Sequence, residues 1–122
     1  MTYTITAPDK PIGGTIKLPS SKSESNRLLI IQSLCKDKFE ITNLSEAQDS
    51  KSLKEVLEKE KQYTMGEVTY DIGAAGTTMR FLTALAALGQ GEYRLTGSPR
   101  LCQRPQGELL DALAQLDRKS VV

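Results

Sequence analysis

The chain has 122 residues, with 16 Lys and Arg against 15 Asp and Glu, so its formal net charge is only +1. This balance does not favour nucleic acid or an anionic membrane as a partner. The lack of histidine excludes a Ser-His or Cys-His catalytic couple and any His-ligated metal site, and no metal site is expected. No stretch approaches the ~20 consecutive apolar residues of a membrane-spanning helix.

The two cysteines, Cys35 and Cys102, lie far apart in the chain and lack the close spacing of a metal-binding pair. They are typical of reduced thiols in a cytoplasmic protein, although the sequence leaves a disulfide between them open. The first residues contain no apolar signal-peptide core, which favours the same cytoplasmic location.

In chain order, the sequence alternates between strand-like and helix-like segments. Alternating or β-branched residues predict five strands, at 2–7, 15–19, 39–44, 67–73 and 92–97. Apolar periodicity predicts four helices, which begin near Ser21, Asp49, Thr77 and Pro105, with Gly89 ending the third. This order predicts an α/β fold in which strands lie against helices.

Three of the predicted helices have an apolar side that we expect to be buried. The apolar positions are Leu28, Ile31, Leu34 and Cys35 in the first helix, Leu53, Val56 and Leu57 in the second, and Leu109, Leu110, Leu113 and Leu116 in the last. A faint repeat places an arginine and two apolar residues at matching places in 23–29 and 76–82. It indicates a duplicated βα unit.

The first strand-to-helix junction, LPSSKSESNR at 18–27, is crowded with polar residues. The amino end of a helix suits an anion because its first N–H groups lack partners. A helix that starts near Ser21 places Ser23 and Arg27 on one face and Lys22 at its rim, so these side chains can together bind a phosphate. The alternative is structural, since Ser21 and Glu24 match a capping box that closes the helix end without a ligand.

The second junction, DIGAAGTTMR at 71–80, combines glycines with hydroxyls and an arginine. Gly73 and Gly76 permit a tight turn and the close approach of a ligand to the backbone. Thr77 and Thr78 offer hydroxyls, and Arg80 lies in the first helical turn. The alternative is a plain glycine turn with Arg80 in a structural ion pair.

The third junction, GSPRLCQRPQG at 97–107, holds Arg100 and Arg104 with no acidic residue in the loop. Pro105 favours an extended backbone at Arg104, and guanidinium groups bind carboxylate or phosphate well. The alternative is a solvated surface loop. Because successive βα junctions meet at one edge of an α/β sheet, the three together favour a shared site for several anions.

The motifs LPSSKSESNR, GAAGTTMRFLTALAAL and PRLCQRPQGELLDAL occur in the order and spacing of the 5-enolpyruvylshikimate-3-phosphate synthases, which the chain resembles from about Tyr3 to Leu116. The resemblance implies transfer of the enolpyruvyl group of phosphoenolpyruvate to the 5-hydroxyl of shikimate 3-phosphate, with release of phosphate and no cofactor. It implies repeated βαβαββ units in two domains. Residues 1–122 would be a partial N-terminal domain, with leading strands in 1–20 and βα units in 21–122.

The resemblance also assigns roles by position. Lys22 resembles the lysine that contacts both substrates and is the candidate catalytic residue, while Ser23 and Arg27 resemble ligands of shikimate 3-phosphate. Gly76 and Arg104 match the glycine and the arginine that bind phosphoenolpyruvate. The supporting positions are Thr77, Arg80 and Arg100.

The chain departs from the family in three residues and in length. Ser20 stands where the family usually has glycine, Ala74 where asparagine is frequent, and Phe81 where proline is frequent, which leaves the response to glyphosate, a candidate inhibitor, open. Family members are several times longer, and their acid/base carboxylate and lysine belong to the part that follows. We therefore expect part of a site, which is inactive until the remainder of the synthase completes it.

Three other interpretations compete with this one. The sister enolpyruvyl transferase for UDP-N-acetylglucosamine has a reactive cysteine five residues before the matching arginine, where this chain has Pro99; Cys102 lies only two before Arg104. A non-catalytic anion-binding module is the second. A structural interaction domain with the arginines as surface charge is the third.

Overall fold

The computed structural model describes residues 1–37, 39–61 and 66–116. These contain five helices and two strands in the following order: α1 Lys22–Leu34, α2 Gln48–Glu60, β1 Glu67–Asp71, α3 Gly76–Ala86, β2 Glu92–Thr96, α4 Pro99–Cys102 and α5 Gly107–Gln115.

The two strands form a small parallel sheet. Register pairs Glu67 with Glu92 at one end and Asp71 with Thr96 at the other, and α3 makes the crossover that a parallel pair requires. The predicted strands in 67–73 and 92–97 are confirmed, and the mixed arrangement agrees with an α/β fold. Because the strands are parallel, the junctions that follow them lie at the same edge of the sheet.

One apolar core joins the sheet to the helices around it. Leu53 of α2, Ile72 after β1 and Leu101 of α4 are 0, 1 and 2% exposed. The other buried members are Leu29, Val56, Leu57, Tyr70, Met79 and Leu82. The core is thus shared by residues of α1, α2, β1, α3 and α4. This common packing fixes the junctions between these elements relative to one another.

Three predicted strands are wrong for this structure. Residues 2–7, 15–19 and 39–44 are not assigned to strands. The first two segments are also exposed throughout, with Ile5 and Ile16 at 94 and 83%. An alternating sequence becomes a strand only when a neighbouring strand satisfies its backbone N–H and C=O groups, and within residues 1–37, 39–61 and 66–116 no strand pairs with these segments.

The buried side of α1 is also different from the prediction. The predicted apolar positions Leu28, Ile31, Leu34 and Cys35 are all exposed. The helix instead buries Ser25, Asn26 and Leu29. Its packing partner is α2, and the contact depends on hydrogen-bonded polar groups rather than on the apolar stripe.

Hydrogen bonds explain why this polar contact is stable. The Ser50 hydroxyl of α2 donates to Oδ1 of Asn26 at 2.7 Å, and both residues are fully buried. The Ser45 N–H donates to Oγ of Ser25 at 2.9 Å. These hydrogen bonds let small polar side chains pack between the two helices, with Oδ1 of Asn26 paired and its Nδ2 buried without a hydrogen-bond partner among the described residues.

Helix α2 confirms its predicted apolar side but not its predicted start. Leu53, Val56 and Leu57 are buried. The helix begins at Gln48 with Ala47 as its N-cap residue, so Asp49 lies in the first turn and does not cap it. The carboxylate still lies near the positive end of the helix dipole, but it is directed to a partner on α1 (below).

Helices α3 and α5 are shorter than predicted, and the third junction is not all loop. α3 ends at Ala86, before Gly89. A one-turn helix, α4, occupies Pro99–Cys102 within the predicted loop. α5 begins at Gly107, two residues after Pro105, because Gln106 is the N-cap residue. Of its predicted apolar set, Leu113 is buried, Leu109 and Leu110 are half-buried, and Leu116 is 72% exposed.

A carboxylate holds α2 to the sheet. The hydroxyl groups of Tyr70 and Tyr93 donate to the two carboxylate oxygens of Glu60, at 2.7 and 2.8 Å. These tyrosines lie on neighbouring strands, where Tyr93 is paired with Val68, two residues before Tyr70, so Glu60 bridges β1, β2 and the end of α2. Among the described residues, no helix is long and apolar enough to cross a membrane.

We expect Glu60→Ala to lower the free energy of unfolding by about 1–3 kcal/mol, because two partly buried hydroxyls lose a charged acceptor. The control is Glu58→Ala, whose exposed carboxylate lies 4.0 Å from Lys54 and contributes less than about 0.5 kcal/mol. Urea denaturation followed by circular dichroism measures both. Equal losses in the two variants would show that Glu60 does not bridge the sheet.

We expect Asn26→Ala to cost about 1–3 kcal/mol, because it leaves the Ser50 hydroxyl buried without its acceptor and opens a cavity. Ser23→Ala, three residues away on an exposed side of α1, should change stability by less than about 0.5 kcal/mol. The same denaturation series tests the pair. A greater loss at Ser23 than at Asn26 would contradict the assignment of α1's buried face.

Candidate functional site

The amino end of α1 is closed by its own sequence. Oγ of Ser21 accepts a hydrogen bond from the Glu24 N–H at 3.3 Å, and the Ser21 carbonyl accepts from the Ser25 N–H at 3.0 Å. Ser21 is the N-cap residue, as the capping-box interpretation predicts. The cap uses Ser21 alone among the polar residues of this motif, so it does not account for Lys22, Ser23 or Arg27.

Those three residues are all exposed. Nη1 of Arg27 donates to the Ser23 carbonyl at 3.3 Å, which holds the guanidinium against the backbone of the preceding helical turn. The predicted pairing of Ser23 and Arg27 on one side of α1 is confirmed. A hydroxyl and a guanidinium placed together in this way can bind a phosphate with several hydrogen bonds.

Lys22 has a partner that the sequence did not reveal. Its ammonium lies 2.9 Å from Oδ2 of Asp49, with side-chain exposures of 49 and 27%. Asp49 stands in the first turn of α2, so the ion pair joins the starts of the two helices. The sequence analysis placed Asp49 only near the start of the second helix, and no local signal connects it with Lys22, 27 residues earlier.

The second group of predicted residues begins at a turn after β1, which a glycine and an aspartate side chain stabilise. Gly73 has φ of +60°, a left-handed conformation that glycine adopts without steric cost. Oδ1 of Asp71 accepts a hydrogen bond from the Gly73 N–H at 2.9 Å. The predicted tight turn at Gly73 is therefore confirmed, and it delivers the chain to the start of α3 at Gly76.

Gly76 and Arg104 are in direct contact. A Cβ atom at Gly76 would lie 3.2 Å from Cζ and 3.6 Å from Cδ of Arg104, and would overlap its Nη1. A side chain at position 76 is therefore incompatible with this placement of the guanidinium. Two residues that the resemblance assigns to the same substrate, 28 positions apart in sequence, lie together at the amino end of an 11-residue helix.

The remaining candidates differ in their exposure. Thr77, Arg80 and Arg100 are exposed, as is Arg104. Within the described part of the chain, none of these three arginines forms an ion pair, so the structural ion pair considered for Arg80 is absent there. Thr78 is fully buried and does not offer its hydroxyl to solvent.

The site therefore consists of two cationic groups. The first contains Lys22, Ser23 and Arg27 of α1, with Asp49 of α2 beside Lys22. The second contains Gly76 at the start of α3 and Arg104 in the segment after α4. No hydrogen bond or ion pair joins the two groups within the described residues. The predicted gathering of three βα junctions is confirmed for the second and third junctions, whereas no strand precedes α1 among the described residues 1–21. Among described residues, no cluster of three His, Cys, Asp or Glu side chains could hold a metal ion.

Comparison with known proteins identifies this pattern. The family model of EPSP synthase (3-phosphoshikimate 1-carboxyvinyltransferase) matches residues 6–121. The 3-phosphoshikimate 1-carboxyvinyltransferase of Bacteroides fragilis is 43% identical over 116 residues, covering 95% of this chain and 27% of the relative. Enzymes of the same name from Paraburkholderia phytofirmans and Shewanella pealeana are 38 and 39% identical, covering 84 and 89% of this chain.

No solved structure matches the chain. The chain spans less than a third of the length of the curated relatives it matches, 27, 28 and 30% for these three. The family model nevertheless covers nearly all of the chain and includes every candidate residue. The chain belongs to the EPSP synthase family.

Proposed function

We propose that this chain supplies the substrate-binding groups of the first part of an EPSP synthase. The whole enzyme would transfer the enolpyruvyl group of phosphoenolpyruvate to the 5-hydroxyl of shikimate 3-phosphate and release phosphate. The observation that carries the proposal is the guanidinium of Arg104 lying over Gly76. Family membership supports the reaction class, and the chemistry of the two cationic groups supports the division of substrates.

Phosphoenolpyruvate is assigned to the group at Gly76 and Arg104. A guanidinium binds a carboxylate or a phosphate through two parallel hydrogen bonds. The first N–H groups of α3 have no acceptor within their own helix and carry partial positive charge. The absence of a side chain at Gly76 lets the Arg104 guanidinium lie against the start of α3, so one anion could contact both.

Shikimate 3-phosphate is assigned to Ser23 and Arg27 on α1. The two side chains lie on one exposed side of the helix, and the hydrogen bond from Arg27 to the Ser23 carbonyl fixes the guanidinium there. A phosphate monoester offers three acceptor oxygens, enough for the hydroxyl and the guanidinium together.

Lys22 would stabilise the charge that develops on the phosphate as it leaves. In the reaction, the 5-hydroxyl loses its proton as its oxygen bonds to the enolpyruvyl carbon, and the methylene carbon of the double bond gains a proton. The tetrahedral intermediate then expels phosphate while its methyl group loses a proton, which restores the double bond. A fixed ammonium beside that phosphate acts where charge accumulates. The Lys22–Asp49 ion pair is partly exposed, and exposed ion pairs are weak, about 0–1 kcal/mol. A bound anion can therefore replace the Asp49 carboxylate at low cost.

The proposal extends to the state of this chain by itself. The acid/base groups of the family belong to sequence beyond these residues, so the chain alone would bind substrates weakly and show little turnover. We propose a cytoplasmic location, to which the two free and exposed cysteines are suited. We propose likewise that residues 1–122 contain the first βα units of the repeated βαβαββ architecture.

Arginine variants test the division of substrates. We expect Arg27→Ala to weaken shikimate 3-phosphate binding by about tenfold or more and to leave phosphoenolpyruvate binding within about twofold. Arg104→Ala should do the opposite. The measurement is a titration of the 15N-labelled chain with each ligand, with dissociation constants taken from the amide shifts.

The control is Arg94→Ala, which removes an exposed arginine of β2 that lies 3.4 Å from Glu67 and outside both groups. If it weakens either ligand as much as the test variants do, binding reflects overall charge and the proposal fails. Equal shifts with UDP-N-acetylglucosamine would instead indicate the sister transferase. Shifts with inorganic phosphate alone would indicate an anion-binding module.

A further inference from the structure

We infer that Gly97 is a positioning residue, whose missing side chain allows the third junction to lie against the second and so places Arg104 over Gly76. The inference rests on the proposed function for its relevance to phosphoenolpyruvate. Its structural basis is independent of any ligand. Sequence reasoning singled out Gly73, Gly76 and the arginines, but gave Gly97 no role beyond the boundary of a loop.

The backbone contact between the junctions continues the parallel sheet past its last assigned pair. The Ile72 N–H donates to the Thr96 carbonyl at 2.9 Å, and the Ser98 N–H donates to the Gly73 carbonyl at 2.7 Å. The two segments that follow β1 and β2 therefore remain hydrogen-bonded to each other up to the turns that lead to α3 and α4. The Gly73 carbonyl is the last acceptor in this ladder.

Gly97 lies directly against that acceptor. A Cβ atom at Gly97 would overlap the Gly73 carbonyl oxygen, and would lie 2.7 Å from Cδ2 of Leu101 and 3.2 Å from the Gly73 carbonyl carbon. The first obstacle is backbone, which cannot rotate away as a flexible side chain can. Any larger residue at position 97 must therefore separate the two junctions.

A short series of hydrogen bonds transmits this position from Gly97 to Arg104. Oγ of Ser98 accepts from the Leu101 N–H at 3.3 Å, which caps α4. The Leu101 carbonyl then accepts from the Arg104 N–H at 3.0 Å. Leu101 is 2% exposed and anchors the segment in the core. Arg104 is thus held by its backbone, although its side chain is exposed.

The other side of the contact is fixed by Asp71. Its Oδ1 accepts from the Gly73 N–H at 2.9 Å, and Gly73 has the positive φ that turns its carbonyl toward Ser98. Removing the Asp71 carboxylate therefore loosens the contact between Gly73 and Ser98 from the side of the second junction, and it does so without adding an atom that could clash. Asp71 and Gly97 therefore provide two independent ways to disturb Arg104.

The test measures the Arg104–Gly76 contact directly by NMR of the labelled chain. In the unmodified chain we expect nuclear Overhauser effects between the δ protons of Arg104 and the α protons of Gly76. Gly97→Ala should abolish them and weaken phosphoenolpyruvate binding about tenfold, the loss of one charged hydrogen-bonding partner. The matched control is Gly107→Ala, where a Cβ meets nothing within 4 Å, and which should leave both unchanged.

A second pair of variants decides the matter if Gly97→Ala does not fold. Asp71→Ala and Asp71→Asn both remove the charge, but only Asp71→Asn keeps an oxygen that can accept from Gly73. We expect the Arg104–Gly76 signals to fall by more than half in Asp71→Ala and to persist in Asp71→Asn. Equal behaviour of these two variants, or persistent signals in a folded Gly97→Ala, overturns the inference.

The same data separate this inference from the proposed function. If the contact responds as expected but the unmodified chain does not bind phosphoenolpyruvate, the positioning role stands and the ligand assignment fails. If phosphoenolpyruvate binds and Gly97→Ala neither loses the contact nor weakens binding, the ligand assignment stands and the positioning role fails.

Discussion

The close approach of two backbone turns at the edge of the sheet is the constraint on which the cationic group at Gly76 depends. The Gly73 carbonyl accepts from the Ser98 N–H at 2.7 Å, and this is possible only because position 97 has no side chain. Backbone contacts of this kind are rigid because no rotamer change can relieve them. An exposed arginine, whose long side chain is otherwise flexible, is thereby directed over a particular helix start.

The polar motif at the start of α1 obeys a different constraint, the helical repeat. Residues that recur at three- and four-residue intervals share one side of a helix. Ser25, Asn26 and Leu29 therefore face α2 together, and Lys22, one turn earlier on that side, meets Asp49. Ser23 lies to one side of this face and remains exposed. The serines of this motif thus have three different roles. Ser21 caps the helix, Ser25 lies in the buried contact, and Ser23 is on the exposed surface.

Sequence reasoning succeeded where local pattern and long-range contact agree. The strands at 67–71 and 92–96 and the glycine turn between β1 and α3 were predictable because their partners also lie within the described chain. The strands expected at 2–7, 15–19 and 39–44 were not realised, since alternation alone does not supply a pairing strand. Motif resemblance located the candidate residues. It could not reveal the Lys22–Asp49 pair or the role of Gly97, which arise only from tertiary contact.

The two cationic groups differ in how prepared they are for an anion. The Arg104 N–H donates to the Leu101 carbonyl, and its guanidinium lies against Gly76 without an ion pair within the described residues, so a ligand would displace no partner from it. Lys22 is engaged by Asp49 and must exchange one carboxylate for another anion. Under the proposed function, the phosphoenolpyruvate group is preorganised by the fold, whereas the lysine is released only as substrate binds. The ion pair with Asp49 also keeps the Lys22 side chain directed toward α2 until that exchange takes place.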